Sequence, residues 1–307
     1  MRKLICISIV AASLIYGSAT FSNEGNELYF IDAHSQVDQN IGIGLVLKRM
    51  EENGVTTTLL SSRDKGQWSD IQEWSTEYPT QIRPLLRSKN KYYINNTKKY
   101  YKKIKKQLNN GVFVGAAEIL AFHAQKGNKA PEVAVDLTDA RIILLIDESI
   151  SRGWPVIIHI EFASIYGDKR QSYMSALKGL LEKHPKHPFV IIHMGQLRHA
   201  ELEKLIVQHQ NVFFLTSHTD PITTSSSKQP WVNMFTLFGA HLKDSWKETL
   251  VKYPERFIFA MDNVWADHWN TTYTKKITLW RKALSELPED VANLIAHGNA
   301  ERLWRLK

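Results

Sequence analysis

The chain has 307 residues and a formal net charge of +8, of which Arg2 and Lys3 supply two, leaving the rest near +6. Its one cysteine, Cys6, lies in an N-terminal stretch with the form of a removable leader, so the remainder excludes disulfides, cysteine-type zinc sites and a cysteine nucleophile. About 285 residues beyond the leader are ample for a large core, and no Pro-, Gly- or Ser-rich linker divides them.

Residues 1–20 open with Arg2 and Lys3, continue as the apolar run Leu4 to Tyr16 and end in Gly17-Ser18-Ala19, the pattern of a secretory signal peptide. The run is shorter than the ~20 residues of a membrane span. The expectation is therefore cleavage near Ala19 and a single domain over residues 21–307, periplasmic or secreted, with no membrane span. Strand one is read at Tyr29 to Gln36, then a helix over Gly44 to Asn53 closed by Gly54, and strand two at Thr56 to Leu60. Ile71 to Glu77 is the next helix and Gln81 to Leu86 the third strand, with Pro84 inside it.

A lysine-rich helix follows over Asn95 to Leu108, with Tyr101, Ile104 and Leu108 on its buried face. Lys98, Lys99, Lys102, Lys103, Lys105 and Lys106 form its solvated side. No base-reading module accompanies them, so nucleic acid is not the expected partner. Strand four is Val112 to Ala117, leading to Glu118, with His123 in a loop beyond. A helix over Asp139 to Ser151 precedes strand five, Pro155 to His159, and strand six is Phe189 to His193. Asn211 to Leu215 is strand seven and Arg256 to Asp262 strand eight. Helices are read at Ser172 to Glu182, Ala200 to Gln208, Trp231 to Lys252 and Thr271 to Lys307. From His34 to Asp262 the seven strand-to-strand steps average about 33 residues, close to the ~30 of a strand-plus-helix unit. The reading is a (β/α)8 barrel of the α/β class with C-terminal helices packed on it.

Four of these strands share one form: an apolar run fit for a strand buried on both faces delivers a single polar group at its carboxyl end. The groups are His34, His159, His193 and Asp262, and parallel barrels place their chemistry at that end. Two imidazoles and a carboxylate, from His34, His159 and Asp262, make a ligand set for a divalent transition metal: zinc first, with manganese and iron as alternatives. Asp32, two residues before His34, is a candidate to orient its ring.

The segment Asp32-Ala33-His34, the strand-end His159, His193 and Asp262, and the closing Asn299-Ala300-Glu301-Arg302-Leu303 resemble the amidohydrolase superfamily, in particular its amidohydrolase-related branch of metal-dependent hydrolases and decarboxylases. The resemblance covers residues 28–307. The family pattern Asp-x-His-x-His places Gln36 where a second imidazole is usual, and an amide oxygen is a poorer transition-metal ligand. By the same resemblance, Glu118 after a glycine-containing fourth strand is a metal-binding or bridging carboxylate. His193 acts as a polarising or proton-transferring group beside one metal, and Asp262 both holds the ion and accepts a proton from water.

Substrate contacts are expected from the loops: Arg63 and Arg87 for a carboxylate or phosphate, His218 in Thr216-Ser217-His218, and Trp265 with His268 and Trp269 as an aromatic wall. Thr223 to Lys228 is read as a mobile loop. The implied function is metal-dependent hydrolysis of an ester, lactone, amide or related bond in a small-molecule substrate. The alternatives are non-oxidative decarboxylation or ligand binding without turnover, and a homo-oligomer is left open. Fusing residues 1–22 to a reporter that works only outside the cytoplasm is expected to give signal, with the mature N-terminus close to Thr20; recovery of the intact chain from the cytoplasm contradicts export.

Overall fold

Aliphatic and aromatic runs bounded by Gly, Pro and polar residues make the staves of this structure, and most are buried along their whole length because both faces are covered. The computed structural model describes residues 28–125, 131–227, 229–236 and 241–306, so the expected leader lies outside it. In chain order the strands are β1 (Phe30–Val37), β2 (Val55–Ser62), β3 (Ile82–Arg87), β4 (Gly115–Ala117), β5 (Ile119–His123), β6 (Val133–Ala134), β7 (Val156–Ile160), β8 (Phe189–Ile191), β9 (Val212–Leu215) and β10 (Phe257–Ile258). They pair in the orders β1-β2-β3-β4 and β10-β9-β8-β7-β5-β6. Every pairing is parallel except the short β5–β6 ladder.

Two joints turn these sheets into a ring. Only Glu118 separates β4 from β5, so the two form one interrupted stave that pairs with β3 on one side and β7 on the other. At the other joint the chain just beyond β10 is bonded to β1: Ala33 N–H donates to the Phe259 carbonyl (3.1 Å), Asp262 N–H to that of His34 (2.8 Å) and Gln36 N–H to that of Asn263 (2.7 Å). The result is a (β/α)8 barrel of eight staves. Pro84 sits inside β3 opposite Leu60, where its carbonyl still accepts from Val114 N–H.

Alternate residues of the staves fill the barrel interior, among them Ile31, Ala33, Leu59, Leu85, Ile157 and Val190. Trp304 and Ala300, from the last helix, Asn299–Trp304, join the same cluster. A Cβ on Gly115, the first residue of β4, would lie 2.9 Å from Leu85 Cδ2 and 3.5 Å from Trp304 Nε1. Glycine there leaves the room that the indole needs as it plugs the amino-terminal end of the barrel. A larger apolar layer, carried by helices such as Ile43–Asn53 and Ala140–Ser151, covers the outside. Gly54 at φ 67° closes the first of these and Asp139 caps the second through Arg141 N–H.

Four local expectations are corrected. The lysine-rich helix runs Lys98–Leu108 and buries Tyr100, Ile104, Gln107 and Leu108, while Tyr101 is only half-buried; Tyr100 wins the inner position by packing edge-on against Tyr93 at 5.3 Å. His123 ends β5 instead of lying in a loop, because Val133 pairs with it. Among the described residues of the predicted helix Trp231 to Lys252, helix is found over Asp244–Lys252, while 231–236 follow Pro230 without helix and enter the antiparallel Phe235–Leu242 bridge. In the expected loop Thr223 to Lys228, Pro221–Thr224 forms a short helix capped by Asp220, and Lys228 lies outside the described residues. Trp304→Ala is expected to lower unfolding stability by about 3–5 kcal/mol, read by chemical denaturation. A loss below about 1 kcal/mol would show that the plug is not part of the core.

Candidate active site

The carboxyl ends of β1, β8, β9 and β10 converge on one buried carboxylate. Asp262 Oδ1 accepts a hydrogen bond from Gln36 Nε2 (3.0 Å) and lies 3.3 Å from His34 Nδ1. Asp262 Oδ2 lies 3.5 Å from both His193 Nε2 and His218 Nε2. Their two imidazoles stack at 4.2 Å, and Trp231 stacks on His218 at 5.1 Å. His193 Nδ1 is held by the Ser217 hydroxyl at 2.8 Å. All of these except Trp231, which is half-buried, are withdrawn from solvent.

Local backbone geometry aims these groups. His193, His218 and Asp262 have φ of 55°, 56° and 46°, the left-handed region that costs a non-glycine residue about 1–3 kcal/mol. Each lies just past its strand, where the turn swings the side chain inward instead of continuing the pleat. On β1, a register shift between Asp32 and Ser35 does the same work. The Asp32 carboxylate fixes that shift: Oδ1 accepts from Met261 N–H (2.9 Å) and His34 N–H (3.3 Å), and Oδ2 from the Ser35 hydroxyl (2.5 Å). Ser35 Oγ in turn accepts from Asn263 N–H at 3.0 Å. The aspartate thus orients the His34 main chain, not its ring.

His159 stands in a second cluster. Its Nδ1 meets Glu118 Oε2 at 2.7 Å and its Nε2 meets Glu161 Oε1 at 3.0 Å, while Lys89 pairs with the other Glu118 oxygen. Its ring packs edge-on against His193 at 4.9 Å, which joins the two clusters. At the mouth, the Arg63 guanidinium lies 3.9 Å above the Trp265 ring, and Arg87 donates to the Gly66 and Lys89 carbonyls.

A family model described as amidohydrolase matches residues 146–306, more than half of the chain. The chain belongs to the amidohydrolase family. Among solved structures it is similar to an uncharacterized TIM-barrel protein from Bordetella bronchiseptica (14% identity, 86% of this chain and 83% of that one, TM-score 0.55). It is also similar to 2,6-dihydroxybenzoate decarboxylase from Rhizobium (14%, 91% and 99%, TM-score 0.52) and to an amidohydrolase from Burkholderia multivorans with bound zinc (13%, 91% and 100%, TM-score 0.51). At these identities the likeness is one of fold. No curated protein matches the chain.

Members of this family usually bind a divalent metal, and the donor set here suits one. Ligand atoms at ~2.0–2.1 Å from a tetrahedral zinc lie about 3.3–3.4 Å from one another, close to the 3.3–3.5 Å between the Asp262 oxygens and three ring nitrogens. These separations are longer than a good N–H···O hydrogen bond, and among the described residues His34, fully buried, makes no hydrogen bond through either ring nitrogen. Among the described residues, the group whose ligand atoms lie within 4.8 Å of one another is His193, His218 and Asp262, with His34 beside it. Of the expected ligands, His34, Asp262 and Gln36 therefore meet here, Gln36 through its amide N–H, whereas His159 and Glu118 engage each other. His218, expected as a substrate contact, belongs to the inner group.

Some participants escaped the sequence reading. Glu161 lies two residues past His159, a spacing that a period of two could have flagged, but Lys89, Ser217 as the partner of His193, and Trp231 arrive through loops. Trp269, expected in an aromatic wall, is fully buried and donates from Nε1 to the Gln36 carbonyl at 3.0 Å. His268 Nδ1 accepts from Val264 N–H at 3.1 Å.

Burial alone would raise the Asp262 carboxyl, but the imidazoles of His34, His218 and His193 outweigh it and hold the group well below the usual carboxylate range. Asp32 goes the other way: burial pushes it up to about 6 against the pull of its three hydrogen bonds. Burial, helped by the Lys276 ammonium, pushes His268 down to about 4. Over the interval between that value and its ordinary 6.5, the folded protein binds fewer protons at His268 than the unfolded chain, so stability falls as the pH drops through it. Asp32 has the opposite sign, its contribution being present below 3.8 and lost as the pH rises through about 6.

His268→Gln is expected to flatten the acid-side loss of stability between about pH 6.5 and 4, measured by chemical denaturation in chelator; an unchanged slope would place the histidine in solvent. Asp32→Ala is expected to cost about 2–3 kcal/mol, because it strands the Met261 N–H in the interior. A neutral result would mean that the first and last strands do not depend on that carboxylate.

Proposed function

We propose that this barrel hydrolyses an ester, lactone, amide or related bond of a small anionic substrate, at the carboxylate of Asp262. The observation that carries the reading is the ring of His34, His193, His218 and Gln36 around that one buried group. A divalent transition metal held by His34, His218 and Asp262, zinc first with manganese or iron as alternatives, would supply Lewis acidity that makes water more acidic and polarises a carbonyl. Asp262, kept ionised by its imidazoles, accepts the proton of the attacking water. His193, oriented by Ser217, delivers a proton to the departing oxygen or nitrogen. Trp231, stacked over His218, keeps bulk water from that side of the site.

The mouth supports an anionic substrate. Among the described residues, buried Arg63 Nε makes no hydrogen bond, and its ion pair with Asp64 is 3.6 Å long. Burial lowers the pKa of both Arg63 and Arg87, and charge repulsion from Arg63 acts on Arg87 in the same direction. Two partly desolvated guanidiniums, one of them 3.9 Å over the Trp265 ring, suit a carboxylate. The same fold carries a decarboxylase in Rhizobium, so loss of carbon dioxide is the second reaction to measure. The export expected from residues 1–20 places the substrate outside the cytoplasm, and the reporter fusion tests that separately.

Protein purified without chelator is expected to hold about one transition-metal ion per chain, by elemental analysis. Asp262→Asn should abolish hydrolysis of a panel of carboxylate-bearing esters, lactones and amides while leaving the fold intact. Gln36→His, which adds an imidazole at the Asp262 oxygen, should tighten the metal about tenfold, equivalent to ~1.4 kcal/mol. If the wild type neither retains nor takes up zinc or manganese and Asp262→Asn is silent, the site binds a ligand without turnover. Carbon dioxide release without hydrolysis would assign the decarboxylase reading.

A further inference from the structure

The charge of this chain is unevenly placed. Between residues 78 and 117 there is no Asp or Glu, yet the segment holds ten Lys and Arg, more than the net +8 of the whole chain. Arg83, Arg87 and Lys89 belong to β3 and the mouth; the other seven are Lys91 and the six lysines of the helix Lys98–Leu108, and all seven are exposed. Among the described residues none of the seven makes an ion pair with a carboxylate. Elsewhere on the surface lysines do find acids, as Lys169 does with Glu132, Lys247 with Glu286 and Lys252 with Glu203.

The field is concentrated rather than scattered. The ammoniums of Lys91, Lys99 and Lys103 lie 5.4, 4.8 and 5.1 Å from the ring of Tyr92, and the hydrogen bond with Lys99 lowers the Tyr92 phenol below its ordinary pKa. Two residues after Tyr92, Ile94 is 48% exposed, one of the few large apolar side chains in solvent among the described residues. The helix cannot turn over to offer a different face. Tyr100 and Ile104 are fully buried, and the Gln107 amide bonds both the N–H and the carbonyl of Arg87 at 3.1 Å. The lysines are therefore a fixed feature of the exterior.

We propose that this face adsorbs the protein to an anionic phospholipid surface, with the lysines at the headgroups and Tyr92 and Ile94 at the interface. Repulsion among seven uncompensated cations is relieved by a surface that carries many negative charges at close spacing. An exposed isoleucine two positions along the chain from a tyrosine suits the boundary between headgroup and acyl chain and has no use on a phosphate backbone, which separates this partner from a nucleic acid. The apolar side of the helix stays against the barrel, so attachment is electrostatic, reversible and weakened by salt.

The test is co-sedimentation of the full protein with phosphatidylcholine vesicles, with and without about one third phosphatidylglycerol, at low and at about 0.5 M salt. Binding is expected to the anionic vesicles alone and to be lost at high salt. Lys102→Gln, Lys103→Gln, Lys105→Gln and Lys106→Gln together should weaken it by about 100-fold or more, and Ile94→Ser should weaken it a few-fold. A control with the same charge loss from exposed lysines elsewhere, Lys183, Lys186, Lys204 and Lys275, should bind as wild type does. Equal binding by the two quadruple variants, or no binding to anionic vesicles, would overturn the proposal. So would duplex DNA that binds wild type at least as tightly at the same salt and is lost with the helix lysines.

Discussion

Everything at the mouth of this barrel depends on how its first and last strands meet. Main-chain hydrogen bonds join β1 to the segment beyond β10, and the Asp32 carboxylate ties Met261 N–H, His34 N–H and the Ser35 hydroxyl together at the same place. The closure does two things at once. It completes the ring of eight staves, so that β1 is not left as an open edge, and it sets His34 and Gln36 against Asp262, which come from opposite ends of the sequence. A carboxylate buried completely enough to be pushed up to about 6 is an expensive fastener. Its three donors offset part of that cost, and two of them are main-chain groups that would otherwise be stranded in the interior.

The same economy is visible in the backbone of the inner group. His193, His218 and Asp262 each take a left-handed φ that an asparagine or glycine would adopt more easily. Three such residues at strand ends, all aimed at one point, are a concentration of strain that packing elsewhere must sustain. The fully buried β8, β9 and β10 supply that packing. Rigid staves thus hold chemically useful side chains in positions that local propensity alone would not choose.

The barrel was legible in the sequence because its staves are fully buried: runs such as Val156 to Ile160 admit few readings when turns bound them at regular intervals. The meeting of polar groups was legible where they sat at the end of such a run, as with His34, His193 and Asp262, which the structure brings together. Side-chain direction was not, because it depends on breaks in the pleat. The register shift after Asp32 and the left-handed turns after β8 and β9 are invisible to a period-two argument. Trp231 was misread for a related reason. Its segment has helical spacing on paper, but Val232 N–H is bonded to the Gln196 side chain at 2.6 Å, a contact 36 positions away that no local pattern encodes.

The position of Gln36 gains meaning from its neighbours. The family resemblance places an imidazole there, and a neutral imidazole offers one lone pair and one N–H, whereas an amide N–H can only donate. Gln36 directs that donor at Asp262 Oδ1, so it steadies the carboxylate but presents no ligand nitrogen. His159 is likewise turned towards Glu118 and Glu161. Both departures remove nitrogen donors from the β1 and β7 side of Asp262, and on the other side His193 and His218 stack with their Nε2 atoms at equal distance from Oδ2. If both rings presented lone pairs to that oxygen the contact would be repulsive, so a proton or a cation must lie between. The polar groups around Asp262 thus come from β1 and from the turns after β8 and β9 instead of from β7, and the carboxylate beyond the last strand is the group they share.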